Sequence, residues 1–153
     1  MTLLEKINSD LIKALKEGDK AKTTLLRGLK SDIKYKEIEL GRDLKDEDLI
    51  EVLGRAAKKH KESIEQFESG NRPDLVEKES NELEIIRQYL PKQLSEADLR
   101  GLIDAAIEET RADSPSKLGL VMKSLMPKIK GKADGKMVNR LVSERLSGAR
   151  ENP

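Results

Sequence analysis

The chain has 153 residues, 36% hydrophobic and 39% charged, which suits one modest core or two small ones and disfavours a large enclosed active-site cleft. Thirty basic side chains against twenty-nine acidic ones exclude a protein that wraps nucleic acid along its whole length, so any such contact must be local. The absence of cysteine removes disulfides, thiolate metal sites and cysteine nucleophiles, including the cysteine-type glutamine amidotransferases.

Leu4, Ile7, Leu11 and Leu15 recur at helical spacing between Thr2, an N-cap residue, and Gly18, a stop, and predict a first helix over residues 3 to 17. Charged residues interrupt its apolar positions every few residues, so it reads neither as a signal peptide nor as a membrane span; no membrane partner and a cytoplasmic location are expected. Asp19 caps a second helix in which Leu25, Leu26, Leu29, Ile33 and Ile38 keep the 3.6-residue period as far as Gly41, with Gly28 its one weak point. Asp46 is the expected cap of a third, with Leu49, Ile50, Leu53, Ala57, Ile64 and Phe67 on its apolar face and Gly70 at its end. Pro73 suits a first turn and Pro91 forbids continuation beyond about Leu90, which brackets a fourth.

Ser95 and Asp98 resemble a weakened capping box before a fifth helix carrying Leu99, Leu102, Ile103, Ala106 and Ile107. Ser114 and Pro115 start a sixth, expected to end near Met126 because Pro127 follows, and Asp134 caps a seventh holding Met137, Val138, Leu141, Val142 and Leu146. No run alternates with period 2, so the prediction is an all-α, multihelical fold of about seven helices. The proline corner at Leu90 to Ser95 is the natural boundary, giving an N-terminal helical subdomain over 1–94, a C-terminal helical domain over 95–148 and a flexible tail over 149–153.

Residues 117 to 150 hold nine basic and two acidic side chains, the one sizeable single-sign patch. At its centre Lys128, Lys130, Gly131, Lys132, Gly135 and Lys136 place four lysines around two glycines just before a helix N-terminus, and Arg140 follows one turn later. Such a loop can meet phosphate: lysine supplies point charge, glycine permits close backbone approach, and the first-turn N–H groups favour an anion. Arg145 is a weaker addition on a neighbouring face. The competing reading is an ordinary solvated connector, kept soluble by its lysines. The loop is not a nucleotide-binding P-loop, because the glycine spacing is wrong and Met137 stands where a serine or threonine must hold magnesium.

His60, the one histidine, sits in Lys58-Lys59-His60-Lys61, a setting that repels cations and offers no nearby ligand; it reads as a solvated, non-catalytic residue, and no metal or other cofactor is expected. The many glutamates, among them Glu77, Glu79, Glu82 and Glu84, read as solvated helix faces. Two tyrosines and one phenylalanine are too few for a base-stacking platform, so an RNA contact would be to backbone and shape. Phe67 reads as core, Tyr35 and Tyr89 as partly buried with their hydroxyls at the surface, and Met122, Met126 and Met137 as a soft seam between the C-terminal helices.

Three blocks carry a resemblance: Glu62 to Phe67 with Asn71 to Leu75, Tyr89-Leu90-Pro91-Lys92-Gln93-Leu94, and Gly119 to Met122 continuing through Met126-Pro127-Lys128-Ile129-Lys130-Gly131-Lys132-Ala133-Asp134-Gly135. On these the chain resembles the GatB/YqeY family, and within it the free-standing YqeY-like proteins. The last block departs from the family pattern by one acid and one lysine, at Lys117 and Leu120. The resemblance implies a helical N-terminal subdomain and a C-terminal domain similar to the tail of the aspartyl/glutamyl-tRNA amidotransferase B subunit, which helps to hold tRNA. It also implies an association with carbon–nitrogen ligase activity that uses glutamine as amido-N-donor, and hence amidotransferase subunits as partners. The glutaminase and transamidase sites of that enzyme lie outside the tail, so the expectation is a non-catalytic tRNA-binding or amidotransferase-associated module. Its RNA contacts would lie in the 128–140 basic patch. A component of the ligase activity and a helical protein–protein adaptor are the alternatives.

Overall fold

The structure, a computed structural model, describes the backbone of residues 1–151 and the side chains of residues 1–148, so the tail expected over 149–153 lies outside the described side chains. Seven α-helices account for most of it: α1 Leu3–Glu17, α2 Lys20–Leu40, α3 Asp46–Ser69, α4 Pro73–Arg87, α5 Glu96–Thr110, α6 Leu118–Ile129 and α7 Gly135–Glu151. One 3₁₀ turn, Pro115–Lys117, precedes α6, and no strand occurs among the described residues.

The helix boundaries follow from local chemistry. The Thr2 hydroxyl accepts the Glu5 N–H at 3.1 Å while the Glu5 carboxylate accepts the Thr2 N–H at 3.0 Å, a reciprocal box that opens α1. Gly18 and Gly41 end α1 and α2 in the left-handed conformation, φ 72° and 68°, where a Cβ would be strained. Helix α3 corrects the expected cap. Asp46 is already its first helical residue and Lys45 its N-cap, because the Asp48 carboxylate reaches back to accept the Lys45 N–H at 2.9 Å and the Arg42 guanidinium at 2.8 Å.

Helix α6 runs through Pro127 to Ile129, three residues beyond the expected stop. Proline forfeits one N–H and crowds the preceding turn, but only in the final turn, and continuing the helix buries Ile129 at 1% exposure. Conversely α4 ends at Arg87: the N–H groups of Tyr89 and Leu90 bond to the Ile86 and Arg87 carbonyls, tightening the chain so that Tyr89 turns inward.

Two compact units result, Met1–Pro91 and the chain from Lys92 onward. The change comes slightly before the boundary expected at 94/95, because Gln93 and Leu94 both hydrogen-bond to the loop between α6 and α7. The first unit has its own core, with Ile7, Leu26, Leu49, Leu53 and Ile86 fully buried; within it α3 and α4 form a helical hairpin about Gly70, Asn71 and Arg72 and make the most extensive helix–helix contact of the chain. The second unit packs α5, α6 and α7 around Leu99, Ile103, Val121, Leu125, Ile129, Leu141 and Leu146. Burying these side chains stabilises each helix stripe far more than propensity does.

Four burial expectations are corrected. Phe67 is only partly buried near the end of α3, and Tyr35 is 72% exposed on α2, whose last turns carry Ile38 into solvent as well. Of the methionines, Met122 and Met137 pack on the second core, whereas Met126 faces outward.

Candidate functional site

In the loop between α6 and α7, the side chains of Lys128, Lys130, Lys132, Lys136 and Arg140 are all exposed, Gly135 is exposed and Gly131 is partly covered. The backbone beneath them is tied down. Gly131 adopts φ 76°, the Lys132 N–H bonds to the Ile129 carbonyl at 2.8 Å, the Gln93 amide donates to the Gly131 carbonyl at 2.9 Å, and the Leu94 N–H donates to the Lys132 carbonyl at 2.9 Å. The loop therefore presents its cations from a fixed path, which lowers the entropy lost when they meet a ligand.

Two of the five cations already have weak partners. Lys128 Nζ stands 3.6 Å from Glu109 Oε2 and Arg140 Nη1 3.4 Å from Glu144 Oε1, both pairs about half exposed and readily exchanged for another anion. Arg145 is committed elsewhere, its Nε 2.7 Å from Asp104 Oδ1, which ties α7 to α5. Asp134 acts at the start of α7 as expected: its Oδ1 accepts the Lys136 N–H at 3.1 Å, so a carboxylate of the chain itself sits at the helix N-terminus. That backbone N–H is thereby occupied, which leaves the lysine and arginine side chains as the exposed cationic groups of the loop.

A second cluster escaped the sequence reading. His60 is not a solvated helix residue: its side chain is 17% exposed, with Nδ1 2.9 Å from the Ala56 carbonyl oxygen and Nε2 2.8 Å from Glu82 Oε2 and 3.5 Å from Glu79 Oε2. The hairpin brings these residues together. It reverses about Asn71, so His60 and Glu82, equally far before and after the turn, come to lie side by side. Lys59 borders the same groove as His60 and Glu82, and the two acids come from α4, which no linear spacing along α3 could reveal.

No helix among the described residues is long and apolar enough to cross a membrane. A family model described as Yqey-like protein matches residues 4–146. Among curated proteins, the chain is 37% identical over 130 residues to altered inheritance of mitochondria protein 41, mitochondrial, of Lachancea thermotolerans, covering 83% of this chain and 68% of that protein. It is 41% identical over 88 residues to the protein of the same name in Kluyveromyces lactis, and 36% identical over 85 residues to that of Saccharomyces cerevisiae. These two matches cover 54% and 55% of this chain but only 45% and 46% of those proteins. The relatives' names correct the cytoplasmic expectation: each is designated mitochondrial.

Proposed function

The chain belongs to the YqeY-like protein family, and from that premise we propose that it is a non-catalytic helical module that binds tRNA through phosphate contacts of the α6–α7 loop and works alongside an amidotransferase. The observation that carries this reading is the exposure of Lys128, Lys130, Lys132, Lys136 and Arg140 on one tethered segment of a chain whose overall charge is balanced. Lysine and arginine at an exposed loop fit a backbone contact, and the scarcity of aromatic residues fits shape rather than base readout. The relatives' names support a mitochondrial compartment for this activity.

Carbon–nitrogen ligase chemistry with glutamine as amide donor belongs, in this reading, to partner subunits. Glutamate release from glutamine by the purified chain, with or without charged tRNA, would overturn that division. A protein-adaptor reading is favoured by one separate observation, the exposed Tyr35 and Ile38 on α2. The deciding experiment is tRNA binding across a salt titration, with the triple variant Lys128→Ala, Lys130→Ala, Lys132→Ala alongside. Salt-sensitive binding lost in the variant supports the RNA site; no binding by the parent chain at low salt rejects it in favour of the adaptor.

A further inference from the structure

We propose that His60, Glu79 and Glu82 bind one divalent transition-metal ion of the zinc class, held between α3 and α4 of the first unit with part of its coordination sphere left open. The imidazole sets the terms. Nδ1 lies 2.9 Å from the Ala56 carbonyl oxygen, which can only accept, so that nitrogen carries a proton. Nε2 then faces Glu82 Oε2 at 2.8 Å and Glu79 Oε2 at 3.5 Å. With Nδ1 protonated, a neutral ring offers these carboxylates a lone pair, and three electron-rich atoms converge on one point. Only a proton or a cation fits there.

Charge separates the two occupants. A proton makes an imidazolium between two carboxylates and leaves a net charge of −1 among side chains only 17% to 21% exposed, with no lysine or arginine among the described residues paired to either glutamate. A divalent ion with a neutral ring brings the sum to zero, and poorly solvated charge favours that balance.

Geometry agrees. Donors around an ion bound at about 2.0–2.2 Å stand about 2.8–3.6 Å apart for octahedral to tetrahedral angles. The two observed nitrogen–oxygen separations lie at the two ends of that interval, and all three donor atoms lie within 4.8 Å of one another. The Nδ1–H to carbonyl bond is the outer contact that orients a metal-bound imidazole through its other nitrogen. Mixed nitrogen and carboxylate donors suit zinc and its neighbours better than calcium or magnesium.

Three protein ligands leave room for water or a further ligand, and the site borders an open groove of about 290 Å³ to which Thr24, Gly28, Asp32 and Lys59 contribute. A metal-bound ligand carrying an acidic or hydroxyl group would meet Lys59 and Thr24 there.

Because His60 is the chain's one histidine, its ring can be observed without ambiguity in tag-free, chelator-treated, ¹⁵N-labelled full-length protein titrated with zinc chloride. The expected result is saturation at one equivalent, a change of the Nε2 signal from protonated to metal-bound, and an unchanged protonated Nδ1. Glu79→Gln and Glu82→Gln should each weaken zinc binding at least tenfold, a size typical of disturbing a metal site. Both substitutions keep the side-chain shape, and circular dichroism checks that the helices remain. An Nε2 that stays protonated at saturating zinc would assign the cluster to a hydrogen-bonded imidazolium alone. Equal zinc affinity in both variants would assign the binding to scattered surface carboxylates; either result overturns the site.

Discussion

The Tyr89 hydroxyl donates to the Asp10 carboxylate across 79 positions of sequence, fastening the turn after α4 to the first helix. The ring is 5% exposed, and the Lys6 ammonium lies 5.5 Å from its centroid. Tyr89→Phe keeps the packing and removes the bond, so it should destabilise the chain by about 1–2 kcal/mol, the lower part of the range for a bond to a charged group, because Asp10 is partly exposed and can be rehydrated. Urea denaturation of the two proteins at neutral pH measures it.

The same contact predicts an alkaline limit. Burial, and then the hydrogen bond to Asp10 and its negative charge, push the Tyr89 hydroxyl well above its ordinary value near 10. Folding therefore holds a proton that the unfolded chain releases. This stabilisation is whole below about pH 10 and is lost as pH rises further toward the folded value. Urea midpoints followed from pH 8 to 11 should fall more steeply for the parent than for Tyr89→Phe; parallel curves would refute the coupling.

At the acid end the informative residue is Asp48, held down to about 2 by the hydrogen bond from Arg42 and then by the Lys45 N–H. Its unfolded value is near 3.8, so its contribution is present above that pH and disappears as pH falls through about 2. Asp48→Asn should lower the thermal midpoint at pH 6. The gap from the parent should narrow steadily between pH 4 and pH 2.

Gly131 is the conformational pin of the lysine loop. At φ 76° any side chain is strained, and Gly131→Ala should cost about 1–2 kcal/mol. Asparagine tolerates this region better, so thermal midpoints should rank glycine above asparagine above alanine above valine at this position.

Charge in the loop should be tunable without loss of fold. Glu109→Gln and Glu144→Gln each release a cation, should change stability by no more than about 0.5 kcal/mol, and should tighten tRNA binding by a small factor. Removing Lys128, Lys130 and Lys132 together should reduce the slope of log affinity against log salt by about 2 to 3, if each meets one phosphate. Filter binding at several salt concentrations tests both.

Helix order and most helix ends are written in local signals: Thr2 with Glu5, Gly18, Gly41, Pro73, and Ser95 with Asp98 act within one turn of where they stand. Local rules give way where tertiary burial outweighs them. Pro127 should stop a helix, yet Ile129 has a core to fill; Phe67 is apolar, yet the end of α3 projects beyond the buried layer. Tyr35 stands 72% exposed because it lies on the opposite side of α2 from the buried Leu25, Leu29 and Ile33 stripe. In the candidate sites, the lysines of the α6–α7 loop are contiguous and could be read directly, whereas the tether from Gln93 and Leu94 could not. The His60 cluster is hidden from the sequence for the same reason. Its partners lie on the next helix, and only the reversal about Asn71 identifies them.

The bonds from Gln93 and Leu94 to the Gly131 and Lys132 carbonyls bear on how the protein can be cut. A fragment beginning at Ser95 would contain every helix of the second unit and every lysine of its loop, yet would strip two acceptors of their donors and let the loop sample other shapes. One beginning at Lys92 keeps both. Three residues of lead-in thus separate a recombinant fragment that preserves the loop's shape from one that merely contains its sequence.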